Sequence, residues 1–88
     1  MARVTLSEHA RAQLQYRGAT IDEVSEAING ASWFAAGRGR LDCRKDFDFE
    51  GQWNGKPCNV KQVRPVFIED FDGVIVLTVY TYFSEEAE

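Results

Sequence analysis

The sequence predicts an α+β fold in which two N-terminal helices pack on an antiparallel β-meander of three to four strands. Three observations support this fold class. The first third of the chain has two segments with apolar residues at helical spacing between capping residues. The remainder contains runs rich in Val, Ile, Phe and Tyr, and the dipeptides Asn54-Gly55 and Asp72-Gly73 are typical of tight turns. Eighty-eight residues suit one compact domain, 1–88, and are too few for two.

The first helix is predicted over Leu6–Tyr16. Thr5 and Glu8 fit a capping box, in which each side chain accepts a hydrogen bond from a backbone N–H at the helix start, and Ser7 is a competing cap. Gly18 follows the last turn, where a left-handed residue commonly ends a helix. The second helix is predicted to repeat this pattern.

The second helix is predicted between a capping box of Thr20 and Glu23 and a terminating Gly30. Its apolar residues form one stripe, which indicates that a single face packs against the sheet. Because the link between the two helices is short, we expect them to form an antiparallel pair.

A polar row lies on the inward side of the first helix. At 100° per residue, Gln13 and Arg17 fall inside the apolar arc, and His9 flanks it. Histidine is the side chain best suited to proton transfer near neutral pH, so His9 is either structural or a group for proton transfer. A buried arginine needs compensation for its charge. Arg17 therefore either pairs with an acidic residue of the fold or lines a pocket for an anion.

Four segments are predicted to be strands: Ser32–Ala36, Leu41–Phe49, Cys58–Ile68 and Val74–Phe83. Pro65 has no N–H to donate, which predicts an edge strand or a bulge at that point. Val74–Phe83 is apolar in both phases, as is typical of a central or buried strand. We expect the helices to cover one sheet face and the other face to carry the basic residues of the segment 38–64.

Charge is unevenly distributed along the chain, whose net charge is −4. Residues 38–64 carry seven Lys or Arg against four acids, a balance of 7 − 4 = +3, whereas residues 65–88 carry six acids and no base. The overall acidity argues against a general nucleic-acid coat protein. The basic segment either presents a positive face to phosphate or consists of scattered solvated charges.

Several classes of protein receive no support from the sequence. No apolar run reaches the roughly 20 residues that cross a bilayer, and the N-terminus lacks the apolar core of a signal peptide, so no membrane contact and a cytoplasmic location are expected. One His and two Cys without ligand spacing predict neither metal nor cofactor, and Cys43 and Cys58 are expected to be free thiols. The string Gly37-Arg38-Gly39-Arg40 is either a linker or a flexible loop that contacts phosphate.

Two adjacent predicted strands carry the remaining candidate residues. Lys61 and Arg64 are cations that can stabilise the charge of a phosphate in a transition state. Tyr80 and Tyr82 share one strand face, where they are either half-buried packing residues or a platform on which unpaired bases stack.

Three short strings resemble the DUF4258 family, whose members are similar to the RelE, ParE and BrnT toxins. They are Ser7-Glu8-His9-Ala10, Tyr16-Arg17-Gly18-Ala19-Thr20 and Leu77-Thr78-Val79-Tyr80, and they span nearly the whole chain. This resemblance implies a RelE-like fold of two helices on an antiparallel sheet. It also implies a metal-independent endoribonuclease, in which a 2′-hydroxyl attacks the adjacent phosphate, and an acidic antitoxin protein as partner.

On that reading, the catalytic residues are His9, Arg17 and Tyr80. The residues that bind RNA or phosphate are Arg38, Arg40, Lys61, Arg64 and Tyr82. The alternative hypothesis is a non-catalytic protein-binding or homodimeric module on the same scaffold. It is favoured by the net acidity, by Gln13 at a position that is commonly basic in the family, and by the strand edge predicted from Pro65.

Overall fold

The computed structural model describes residues 2–53 and 55–85. Its helices and strands are, in chain order, β1 (Val4–Leu6), α1 (Glu8–Arg17), α2 (Ile21–Gly30), β2 (Phe34–Gly37), β3 (Arg40–Asp42), β4 (Lys45–Trp53), β5 (Lys56–Asp70) and β6 (Gly73–Ser84). The α+β class is confirmed. Asn54, half of one predicted turn dipeptide, lies outside the described residues. Neither helix is long and apolar enough to cross a membrane.

The sheet of the described residues has six strands, so the prediction of three to four was wrong. Its order is β1-β6-β5-β3-β2, and β4 also pairs with β5. The predicted strand Leu41–Phe49 is two strands, β3 and β4, that follow each other along the same side of β5. The sheet is also mixed rather than purely antiparallel, because β1 runs parallel to β6.

The start of α1 differs from the prediction because β1 uses the preceding residues. Val4–Leu6 pair with Val74–Val76, so Thr5 is a strand residue and its capping box with Glu8 was wrong. The competing cap is the one observed: the Ser7 side chain accepts a hydrogen bond from Ala10 N. A three-residue strand has too little pattern to distinguish it from the first turn of a helix.

The other predicted helix ends are confirmed. Gly18 has a φ of 68° and ends α1 in the left-handed conformation. A Cβ at this position would lie 2.8 Å from the ring of Trp53, so the close packing of that ring also requires glycine. Thr20 and Glu23 form the predicted capping box at the start of α2.

Pro65 lies in β5, which is a central strand, so of the two predicted alternatives, an edge strand or a bulge, the edge strand is excluded. On one side β5 pairs with β6, and on the other it pairs with β4 as far as Val63 and with β3 from Val66. Pro65 therefore occupies the junction between β4 and β3, where a missing N–H leaves no ladder bond broken. The predicted irregularity is present next to it, as a register shift between Val66 and Phe67.

The core fills the space between the helices and one face of the sheet. Its members include Leu14, Val24, Ala27, Ile28, Cys43, Val63, Phe67, Val76 and Val79. Burial of Cys43, with a smaller contribution from the charge of Asp42, raises the pKa of its thiol to about 11. That thiol is therefore protonated at neutral pH.

The second face of the sheet, which we call the open face, lies opposite this core. Side chains alternate between the two faces of a sheet along each strand. The open face therefore carries the β5 side chains that do not point into the core, together with the residues that pair with them. The register pairs Arg64 with Tyr80, Gln62 with Tyr82, and Val66 with Asp42. Phe34 joins the same face through its pairing with Asp42. The predicted separation of a covered face from a second face is thus observed.

Gln13 ties α1 to the outer edge of β6. Its Oε1 accepts hydrogen bonds from Thr78 Oγ1 at 2.6 Å and from Val79 N at 2.9 Å. Gln13, one residue of the polar row predicted on α1, therefore has a structural role. Its side chain accepts a backbone hydrogen bond at the edge of β6 that a neighbouring strand would otherwise accept.

Replacing Gln13 by Ala should lower the free energy of unfolding by about 1–3 kcal/mol, because the buried Val79 N–H loses its acceptor. Chemical denaturation measures the change. The matched control is Gln15→Ala, an exposed position of the same helix, for which we expect a change within about 0.5 kcal/mol. Equal stability of the two variants would show that water replaces the Gln13 oxygen.

Candidate functional site

Tyr80 is contacted by two guanidinium groups on the open face. The Cζ atom of Arg17 lies 5.6 Å from the centre of the Tyr80 ring, and the Cζ atom of Arg64 lies 5.7 Å from it. Both distances are within the range of cation–π attraction. The ring remains 36% exposed, so a ligand can reach it.

Arg17 reaches this cluster because α1 ends beside β6. Arg17 is the last helical residue, and its carbonyl oxygen accepts a hydrogen bond of 2.6 Å from Thr81 Oγ1. No carboxylate lies within ion-pair distance of Arg17 among the described residues. The sequence left two alternatives for Arg17, an acidic partner within the fold or a pocket for an anion. The described part of the chain contains no such acidic partner.

Arg64 is held in place by Asp42 of β3. Its Nε and Nη2 atoms both donate to Asp42 Oδ2, at 3.0 Å and 2.5 Å. The side chain of Asp42 is only 6% exposed, whereas that of Arg64 is 26% exposed. Hydrogen bonding to Asp42, followed by that to the Tyr82 hydroxyl, raises the pKa of Arg64. Arg64 is thus a fixed cation whose outer side faces solvent.

A groove of about 580 Å³ adjoins the cluster. Its lining consists of Ser32, Phe34, Ala35, Ala36, Asp42, Arg44 and Arg64. Phe34 is 62% exposed, so its side chain is accessible from the groove. Arg44 has no ion-pair partner within residues 2–53 and 55–85. Because Arg64 belongs to both features, the groove and the Tyr80 ring form one continuous surface.

The remaining arginines of the basic segment lie at one end of this surface. The string Gly37-Arg38-Gly39-Arg40 is the turn between β2 and β3, with positive φ at Gly37, Arg38 and Gly39. It is therefore a hairpin turn rather than a linker. Both arginine side chains are exposed, and Arg40 has the same strand phase as Asp42, which places it on the open face.

Lys61 is not part of this surface. It lies on the helix-covered face and is only 7% exposed. Its Nζ donates to the carbonyl of Gly18 at 2.9 Å and contacts Glu23 at 2.7 Å. The structure thus places Lys61 in the contact between β5 and α2, although the sequence grouped it with the phosphate-binding residues.

His9 is also separate from the cluster. It is exposed near the start of α1, eight residues before Arg17. At 1.5 Å per residue the two positions are about 12 Å apart along the helix axis and about 80° apart around it. Of the three predicted catalytic residues, the structure brings together Arg17 and Tyr80.

Tyr82 completes the aromatic part of the open face. It lies two residues after Tyr80 in β6 and is 50% exposed. The residues that the sequence analysis missed are Phe34, Asp42 and Arg44. Strict alternation around Cys43 was the available signal, because it assigns Asp42 and Arg44 to the face opposite the core.

The charge of this surface is opposite to that of the whole chain. Arg17, Arg40, Arg44 and Arg64 lie on or beside it with Asp42 and Asp46, a balance of 4 − 2 = +2. Asp46 belongs to β4, where it pairs with Gln62 and accepts a hydrogen bond from the Gln62 side chain at 3.0 Å. The described residues contain no group of His, Cys, Asp and Glu placed to hold a metal ion.

Comparison with known protein families, with curated proteins and with solved structures finds no match for this chain. The resemblance to the DUF4258 family therefore stays a prediction, and the site must be interpreted from its own geometry.

Replacing Arg64 by Gln should lower the free energy of unfolding by about 2 kcal/mol, because the nearly buried Asp42 carboxylate then loses its partner. Arg17→Gln, which removes a cation without an ion pair, should cost at most about 1 kcal/mol. Urea denaturation of both variants tests the difference. Equal losses would contradict a structural role for the Arg64–Asp42 pair.

Proposed function

We propose that the open face binds single-stranded RNA and that the protein cleaves the bound strand. The observation that supports binding is the Tyr80 ring with the guanidinium groups of Arg17 and Arg64 over it. Proteins that bind single strands combine aromatic side chains, on which bases stack, with cations that follow the phosphates. The open face offers both within one short stretch of β5 and β6.

The geometry favours a single strand over a duplex. The face is part of a sheet and presents Tyr80 and Tyr82 side by side, and an unpaired base can stack on such rings, whereas a base within a duplex cannot. The arginines around the rings are exposed or partly exposed, so they can contact phosphates on either side of a stacked base.

Cleavage is the part of the proposal that rests on the family resemblance. In this reaction the 2′-oxygen forms a bond to phosphorus, and the bond from phosphorus to the 5′-oxygen of the next nucleotide breaks. Arg17 and Arg64 stabilise the added negative charge. Tyr80 donates its phenolic proton to the departing 5′-oxygen, while water accepts the proton of the 2′-hydroxyl. His9 has no role in this proposed cleavage, because it lies about 12 Å along the helix axis from Arg17.

The first test is binding of a short oligouridine, measured by fluorescence anisotropy. Tyr80→Ala should weaken binding about tenfold, because one base loses its stacking partner. Arg17→Gln should weaken binding and reduce the slope of log K against log salt by about 1, because one phosphate contact is lost. Control variants are Phe71→Ala, a fully exposed aromatic at the β5–β6 turn, and Arg11→Gln, an exposed arginine of α1.

Equal effects of the control and site variants would contradict an open-face site. Absence of binding, together with a dimer in sedimentation, would favour the homodimeric module instead. That alternative is supported by β2, whose four residues are exposed and which, within the described part of the chain, pairs only with β3. Its outer edge offers backbone groups to another strand.

The second test is cleavage of an oligoribonucleotide in the presence of a chelator. Wild-type protein should leave a 2′,3′-cyclic phosphate, and a 2′-deoxy substitution at the reacting nucleotide should prevent the reaction. Tyr80→Phe should slow cleavage about 100-fold by removing the proton donor, whereas His9→Ala should leave the rate unchanged. Intact RNA with the wild type, or a large loss with His9→Ala, would contradict the proposed mechanism.

A further inference from the structure

We propose that the groove beside Tyr80 is a second base-binding subsite and that it prefers guanine. This inference rests on the proposed RNA binding and adds a specificity to it. The groove has a volume of about 580 Å³, which is within the usual range for small-ligand sites and suits one nucleotide.

The position of Arg64 makes the two subsites neighbours along one strand. Arg64 lines the groove and also lies 5.7 Å from the centre of the Tyr80 ring. A base stacked on Tyr80 and the next base in the groove are therefore joined by a phosphate near this guanidinium. Arginine suits this place because its planar group donates several hydrogen bonds to phosphate oxygens.

Phe34 supplies the stacking surface of the groove. Its ring is 62% exposed, lines the groove and belongs to the open face through the pairing of Phe34 with Asp42. Ala35 and Ala36 beside it are small, so the groove stays wide enough for a flat ring. An exposed aromatic at the rim of a groove is what base stacking requires.

Asp42 supplies the hydrogen-bond acceptor. Both hydrogen bonds from Arg64 go to Oδ2, and none to Oδ1 is found among the described residues. The side chain of Asp42 is only 6% exposed. Because the described residues include no fully buried side-chain oxygen without a hydrogen-bond partner, Oδ1 is not fully buried. Since Asp42 lines the groove, its Oδ1 atom is accessible from there.

A carboxylate that lines a base-binding groove selects for N–H donors. Guanine presents two neighbouring donors, N1–H and the N2 amino group, on the edge that single-strand readers use. Uracil presents a single N–H between two acceptors. Arg44, which has no ion-pair partner among the described residues, also lines the groove and can donate to guanine O6 or N7. The donor and acceptor groups of the groove thus match guanine best.

The experiment compares oligouridines that carry one central guanosine, inosine, adenosine or cytidine, all with 2′-O-methyl sugars so that no cleavage occurs. With wild-type protein, the guanosine oligomer should bind about tenfold more tightly than oligouridine, measured by anisotropy. Inosine lacks the N2 amino group and should lose a large part of this gain. These comparisons change only the RNA, so they do not depend on the folding of a variant.

Two protein variants test the same groove. Phe34→Ala and Arg44→Gln should reduce the preference for guanosine to within about twofold while oligouridine still binds to Tyr80. Arg11→Gln, an exposed arginine of α1 outside the groove lining, is the control and should keep the preference. Asp42 is not substituted, because its loss would also release Arg64.

The outcomes separate this inference from the proposed function. Binding of oligouridine without any preference for guanosine would overturn the guanine subsite and leave RNA binding by the open face intact. A preference that survives Phe34→Ala and Arg44→Gln would place it outside the groove and overturn the inference equally. Absence of binding by every oligomer would overturn RNA binding itself.

Discussion

The pairing of β5 is the constraint on which the rest of the structure depends. This strand runs for fifteen residues, pairs with β6 on one side and holds both β3 and β4 on the other. The change of partner occurs at Pro65, which has no N–H to leave unpaired. Because β3 takes over there, Asp42 comes next to Arg64, and β2 places Phe34 beside them. The groove therefore exists because one strand exchanges one neighbour for another.

Two cations of β5 illustrate how the two faces of one strand are used differently. Lys61 and Arg64 are an odd number of residues apart, so they point to opposite faces. On the covered face, Lys61 is neutralised by Glu23 and joins the sheet to α2. On the open face, Arg64 is neutralised by Asp42 but keeps an exposed side against Tyr80. A fixed guanidinium loses little conformational freedom on binding a ligand, which favours affinity.

Much of the fold was predictable because its signals are local. Capping residues determined the start of α2 and the end of α1, and strand propensity located β5 and β6. The start of α1 was not predictable in this way, because β1 depends on three residues of β6 that are distant in sequence. For the candidate site, aromatic and basic composition identified Arg17, Arg64 and Tyr80. Alternation within β5 is enough to separate Lys61 from Arg64, but which of the two shares a face with Tyr80 depends on the register between strands, which the sequence pattern leaves open by one position.

The net charge of the chain is a poor guide to this surface, for a physical reason. At physiological ionic strength the field of an exposed charge is screened over about 8 Å. The acids at the β5–β6 turn begin at Glu69, five residues beyond Arg64 and therefore about 16 Å away along an extended strand. The molecule is 41 Å long, so charges at its ends act almost independently. An anionic strand approaching Tyr80 would encounter the local balance of +2 rather than the total of −4. The distant acids disfavour contact with a polyanion elsewhere on the protein, which would confine the proposed binding to the open face.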